Sequence, residues 1–323
     1  MAVVNAMSEV LAHVVSSILP PSAAMAATAR DRAGELAGWL AGARHSPHPA
    51  VERRVVVVVA ADHGVLDPGL ALGPGHPTAL ALAAVDGGHA ALCRVARTAQ
   101  ATVLLVDAGV AEPAQVPAAA LGLSPGRASA DLTGGAALSP VEVALALDAG
   151  IALVTALAED GLDLLAVGAI GLGGDVAATA VVAALTGGSA ELAADDIRAL
   201  VAAGLAHLVP GAGPVAVLAT VGGRELAVLA GVILGAAAMH VPVVIDGLVT
   251  TAAALVAARL APAAAGYVCA AHAGGGPAAA AARRALDLAP LVAAGLGHGE
   301  GTGAAMALPL LAAAAAALTP ASR

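Results

Sequence analysis

The stretch Arg53-Arg54-Val55-Val56-Val57-Val58-Val59-Ala60-Ala61-Asp62-His63-Gly64 decides how this chain folds. β-Branched residues are stiff and favour extended backbone. The run is continuous rather than alternating, so neither face of the strand is left polar. That pattern marks a strand buried on both sides, as in a parallel sheet covered by helices.

Working outward, the same punctuation recurs. A short apolar run at 101–107 ends in Asp107. One at 162–167 leads into Gly168-Ala169-Ile170-Gly171-Leu172-Gly173-Gly174. Those at 241–245 and 267–271 end at Asp246-Gly247 and His272. Between them lie Ala-rich stretches long enough for helices, at 77–99, 140–159, 176–185, 225–239 and 250–260. Short strands alternating with helices predict an α/β fold with right-handed crossovers. The polar and glycine residues gather at the carboxyl ends of the strands, the edge where open α/β sheets bind ligands.

Composition narrows the function classes. The chain has 323 residues, 59% hydrophobic and 11% charged, with a formal net charge of -9. No cluster of Lys and Arg offers a nucleic-acid surface. The mean hydropathy of +0.90 raises the question of a membrane. The best spanning candidate, 226–245, contains His240 and Pro242. One Trp, one Tyr and no Phe cannot build aromatic interface belts, so no membrane partner is expected. Cys93 and Cys269 give neither zinc spacing nor a disulfide framework. The N-terminus lacks the basic start and cleavage site of a signal peptide, and a cytoplasmic location is the default expectation.

Four loops carry the chemistry. Asp62-His63-Gly64 is either a substrate-edge contact, a pair that orients a loop, or a turn capped by Asp62 with a solvated His63. The Gly168–Gly174 loop can present backbone N–H groups to a phosphate, or be a tight turn capped by Asp175. Its spacing is neither a dinucleotide fingerprint nor a P-loop, and Asp175 would repel a phosphate. His272-Ala273-Gly274-Gly275-Gly276-Pro277 is a second glycine loop that could leave amides free for a ligand, or a flexible connection. Gly297-His298-Gly299-Glu300-Gly301-Thr302-Gly303 is the most unusual. A Glu among glycines has little packing purpose, and in low-dielectric surroundings such a carboxylate can serve as a general base. The plainer reading is a helix-capping loop with Thr302 as the cap. No metal-ligand spacing stands out.

Taken together, and in one collinear order over roughly 50–318, several stretches resemble the nicotinate-nucleotide–dimethylbenzimidazole phosphoribosyltransferase family. They include Asp62-His63-Gly64-Val65, Gly168-Ala169-Ile170-Gly171-Leu172-Gly173, Gly222-Gly223-Arg224-Glu225, Val241-Pro242-Val243-Val244-Ile245-Asp246-Gly247 and Gly299-Glu300-Gly301-Thr302-Gly303. The resemblance implies a doubly wound parallel sheet with a smaller helical domain from the chain ends, and a homodimer. The segments would be 1–50, packing with the C-terminal helices, an α/β domain at 51–290, and the Glu loop with its helix at 291–323. It also implies transfer of ribose 5-phosphate from nicotinate mononucleotide to a benzimidazole-type base, with Glu300 as the base that removes the proton. No metal or organic cofactor is implied. Substrate contacts are expected from Asp62, His63, Leu80, Gly171, Gly173, Gly174, Gly222, Gly223, Asp246, His272, Gly274, Gly275 and His298.

The chain also departs from the family pattern. Ala169 stands where the family's third-strand loop has Glu, and Gly174-Asp175-Val176 where it has Asn-Thr-Thr. Leu80 stands for a usual Gln, and Gly274-Gly275-Gly276 for Ser-Ala-Glu. The usual Lys after Asp195-Asp196 is missing. A second reading follows from these changes: a catalytically weak member that binds nucleotide or base in a regulatory role.

Overall fold

The computed structural model describes residues 8–23, 31–65, 75–123, 128–296 and 299–318. Six strands pair in parallel as one sheet: β1 (Arg54–Ala61), β2 (Ala101–Gly109), β3 (Leu121–Gly122), β4 (Leu164–Ile170), β5 (Val243–Ile245) and β6 (Val268–Ala270). Their order is β3-β2-β1-β4-β5-β6. The chain steps outward from β1 to β3, crosses back to lay β4 beside β1, then steps outward the other way. The strand order therefore reverses between β1 and β4, and such a switch point opens a crevice at the carboxyl ends. The register sets Ala60 level with both Asp107 and Ile170.

β1 accounts for its own central place. Val55, Val57 and Val59 enter one core while Val56, Val58 and Ala60 enter the other. The first core is closed by α1 (Glu9–Ser17), α5 (Pro140–Glu159), α6 (Gly174–Thr186), α7 (Arg198–Leu205), α8 (Pro214–Val221), α9 (Arg224–Ala238), α10 (Gly247–Leu260) and α11 (Gly276–Ala285). The second is closed by α2 (Arg32–Ala43), α3 (Pro77–Asp86), α4 (Ala91–Thr98) and α12 (Thr302–Ala316). Of the chain ends, α2 packs on α12, whereas α1 packs on α5 and α9 at the opposite face.

The small-residue composition has a geometric purpose. A Cβ on Gly150 of α5 would lie 2.1 Å from the Val228 carbonyl oxygen of α9. A Cβ on Gly231 of α9 would lie 2.1 Å from the Leu147 carbonyl oxygen. The two backbones touch. α5 is long and apolar enough to cross a bilayer, but its Val143, Leu147, Ile151 and Val154 are buried inside the protein. The spanning candidate at 226–245 turns at Met239-His240, from α9 into β5.

Several expected boundaries move. The helix expected at 77–99 is two, broken at Gly87-Gly88, where Gly88 has φ 73°. β4 runs on through Gly168 to Ile170, so only the residues from Gly171 form the loop. β3, α7 and α8 were not expected: β3 is two residues long and the helices eight each, too short for a clear period.

Candidate functional site

The end of β1 is the organising point of the switch-point loops. Asp62 is 2% exposed and its carboxylate accepts from three segments: the Leu172 amide at 3.0 Å, the Ala111 amide at 2.8 Å and the Thr78 hydroxyl at 2.5 Å. It is therefore no helix cap but a tie between the loops after β2 and β4 and the start of α3. His63 is not solvated either. It is 4% exposed, and its Nε2 pairs with Glu225 Oε1 of α9 at 2.8 Å. Burial alone would push the His63 pKa down. The charge and hydrogen bond of Glu225, with the Asp62 charge, outweigh this and hold it above the ordinary value. Of the alternatives left by the sequence, the structure fits the pair that orients loops. Gly223 makes room for it, since a Cβ there would lie 2.2 Å from His63 Cε1. Gly222 is buried beside it, against Leu218.

The glycine loop after β4 lies directly on β1. Gly171 has φ 153°, and a Cβ there would sit 1.6 Å from the Ala61 carbonyl oxygen, so only glycine fits. Gly173, at φ 83°, is the N-cap of α6, which has no side-chain cap. Asp175 therefore does not cap this helix. It lies in the first turn, beside a cavity of about 430 Å³. Ala61, Thr78, Ala81, Gly171–Gly174, Ile170, Glu225, Leu248 and Glu300 are among the residues lining that cavity.

The Glu300 loop is pinned from below. Asp246, at the end of β5 and 0% exposed, accepts from the Gly301 and Gly303 amides at 2.8 and 3.0 Å through Oδ2. Its Oδ1 is bonded to His272 Nε2. His272 Nδ1 accepts from the Gly274 amide at 2.9 Å, so Nε2 carries the proton given to Asp246. One carboxylate thus ties the Glu300 loop to the glycine loop after β6. A second tie is the Ala169 amide to the Gly299 carbonyl, 2.9 Å. Gly168 allows the approach, because a Cβ there would lie 2.3 Å from the Glu300 carbonyl carbon. α12 then starts from Gly301, at φ 96°, without a side-chain cap, so Thr302 does not cap it. Glu300 itself is exposed at the cavity rather than enclosed in low-dielectric surroundings.

A second cavity of about 260 Å³ shares Asp175, Ile197 and Leu248 with the first. Gly275, Gly276 and Pro277 line it at the start of α11. Arg283 holds this loop from behind, donating to the Gly274 and Ala273 carbonyls at 2.8 and 2.9 Å. The two cavities are acidic. Asp175, Glu225 and Glu300 line them, the sequence contains no lysine, and among the described residues no arginine lines either. Burial, with the charge of Asp196, raises the Asp175 pKa above its ordinary value.

Of the expected site residues, the substrate contacts Gly171, Gly173 and Gly174 and the expected base Glu300 line the first cavity, and Gly275 lines the second. Asp62, His63, Gly222, Gly223, Asp246, His272 and Gly274 line neither cavity, and of these Asp62, His63, Asp246 and His272 hold the segments that do. Leu80 is 56% exposed, while Pro77, Thr78 and Ala81 line the cavity instead. His298 lies outside the described residues. The sequence gives no role to Arg283, nor to Glu225 beyond its place in the quoted stretch, because their partners are remote in the chain or are backbone carbonyls.

A phosphoribosyltransferase family model matches residues 31–322. The chain is 36% identical over 270 residues to the nicotinate-nucleotide–dimethylbenzimidazole phosphoribosyltransferase of Roseiflexus sp. (strain RS-1), covering 76% of each. It is 38% identical over 235 residues to that of Chloroflexus aggregans, covering 68% of this chain and 66% of the other. The crystal structure of the enzyme so named from Thermus thermophilus superposes with a TM-score of 0.83 at 35% identity, covering 96% of this chain and 95% of that one.

Proposed function

The chain belongs to the nicotinate-nucleotide–dimethylbenzimidazole phosphoribosyltransferase family, and on that footing we propose that it transfers ribose 5-phosphate from nicotinate mononucleotide to a benzimidazole-type base, with Glu300 as general base. One nitrogen of the base attacks the anomeric carbon through its lone pair. The glycosidic bond to nicotinate breaks, its electron pair returns to the pyridine nitrogen, and the configuration inverts. The proton on the other base nitrogen goes to Glu300. The product is an α-ribazole 5′-phosphate, as cobalamin lower-ligand assembly requires. With the family, the working unit is a homodimer.

The observation that carries this reading is the anchoring of Glu300. Asp246 and the Ala169 amide fix its backbone at the switch-point cavity, with Gly168 leaving room for it, while its side chain stays accessible. A bound aromatic base would then supply the desolvation that the free site lacks. Incubation with nicotinate mononucleotide and a panel of benzimidazoles and phenolics, followed by mass detection, is expected to yield ribosylated products. Nucleotide binding without any product would favour the regulatory reading instead.

A further inference from the structure

We propose that Glu225 binds a hydroxyl group of the ribosyl donor's sugar through Oε2. The inference rests on the ribosyl-transfer reading and gives its cavity wall a defined ligand. Glu225 is 2% exposed, yet it lines the first cavity. His63 occupies Oε1, and among the described residues no donor reaches Oε2. An ionised carboxylate only accepts hydrogen bonds, and a buried acceptor left unpaired is costly enough to call for a partner.

The chemistry of the cavity restricts that partner. No arginine among the described residues lines either cavity and the sequence has no lysine, so Asp175 and Glu300, with Glu225 offset only by His63 behind the wall, disfavour the phosphate and the nicotinate carboxylate as that partner. What donor and base bring as hydrogen-bond donors are the base N–H and the ribose hydroxyls. Glu300 takes the base proton. Glu225 is fixed in advance, held by His63 and pressed so close to Gly223 that a Cβ there would lie 2.6 Å from Oε2. Such preorganisation suits holding a sugar in one orientation for inversion. His63 is then a positioning residue, acting through Glu225.

Calorimetry of the full chain with nicotinate mononucleotide and its 2′-deoxy and 3′-deoxy analogues tests this. One analogue is expected to bind about ten- to a hundredfold more weakly, as for a hydrogen bond to a charged group. Glu225→Ala should weaken the ribonucleotide and close the gap. Glu225→Gln, which keeps the shape, should narrow it by about threefold or more, since a neutral acceptor bonds less strongly. No gap in the wild-type protein, or a gap unchanged in the variants, overturns the proposal, as does equal weakening of all three nucleotides. Turnover without a gap leaves ribosyl transfer standing and removes the role of Glu225. A gap without turnover does the reverse, and failure of the nucleotide to bind removes both.

Discussion

At the scale of single residues, Asp175 is the clearest departure with a physical consequence. It sits where the first turn of α6 meets both cavities, next to glycines whose amides suit an anion. A phosphate over Gly275-Gly276 would face its charge. Asp175→Asn is therefore expected to tighten nicotinate mononucleotide by about tenfold, the effect of one like charge at partly screened range, and to leave free dimethylbenzimidazole nearly unchanged. Calorimetry of both ligands checks it. Equal affinities in the two proteins would place the phosphate elsewhere. Residues differ in how plainly the sequence shows them. Glu300 stood out because glycines surround it and no packing need explains it. Asp62 and His63 stood out because they end a buried strand, but their role stayed open, since it depends on Leu172, Ala111 and Glu225, residues supplied by other loops. Glu225 is 162 positions from His63, a pairing that no local pattern can show.

At the scale of elements, burial on two faces made β1 legible, and long apolar spacing did the same for α5, α9 and α10. The same logic fails for β3, where two residues carry no period, and at Gly87-Gly88, where one apolar stretch hides a break. The Ala- and Gly-rich composition suits close helix packing. The α5–α9 contact gives that idea a measurable form. Gly231→Ala would place a methyl group 2.1 Å from a backbone carbonyl oxygen, so the helices must separate. Overpacking of this kind typically costs about 1–3 kcal/mol, and the urea midpoint should fall accordingly with the slope unchanged. An unchanged midpoint would mean that the helices are not held in backbone contact.

At the scale of the whole molecule, the strand order decides where chemistry can occur. Periodicity alone gives a parallel sheet but not the reversal between β1 and β4, which depends on which crossover returns to the centre. The collinear resemblance supplied a doubly wound sheet, and the cavity beside Ala61 and Gly171–Gly174 lies at that reversal. The loops after β1, β4 and β5 meet at that cavity and the loop after β6 lines the adjoining one, held by two buried carboxylates, Asp62 and Asp246. This arrangement presents Glu300 without burying it, so its loss should stop the reaction while sparing the scaffold. The most direct test is single-turnover formation of the α-ribazole 5′-phosphate by wild type and Glu300→Gln, with nucleotide affinity measured alongside. The variant is expected to lose about 10²–10⁴-fold in rate, the usual worth of a positioned base, while folding normally and binding nicotinate mononucleotide at least as tightly as the wild type. A variant that turns over at nearly the wild-type rate would contradict it.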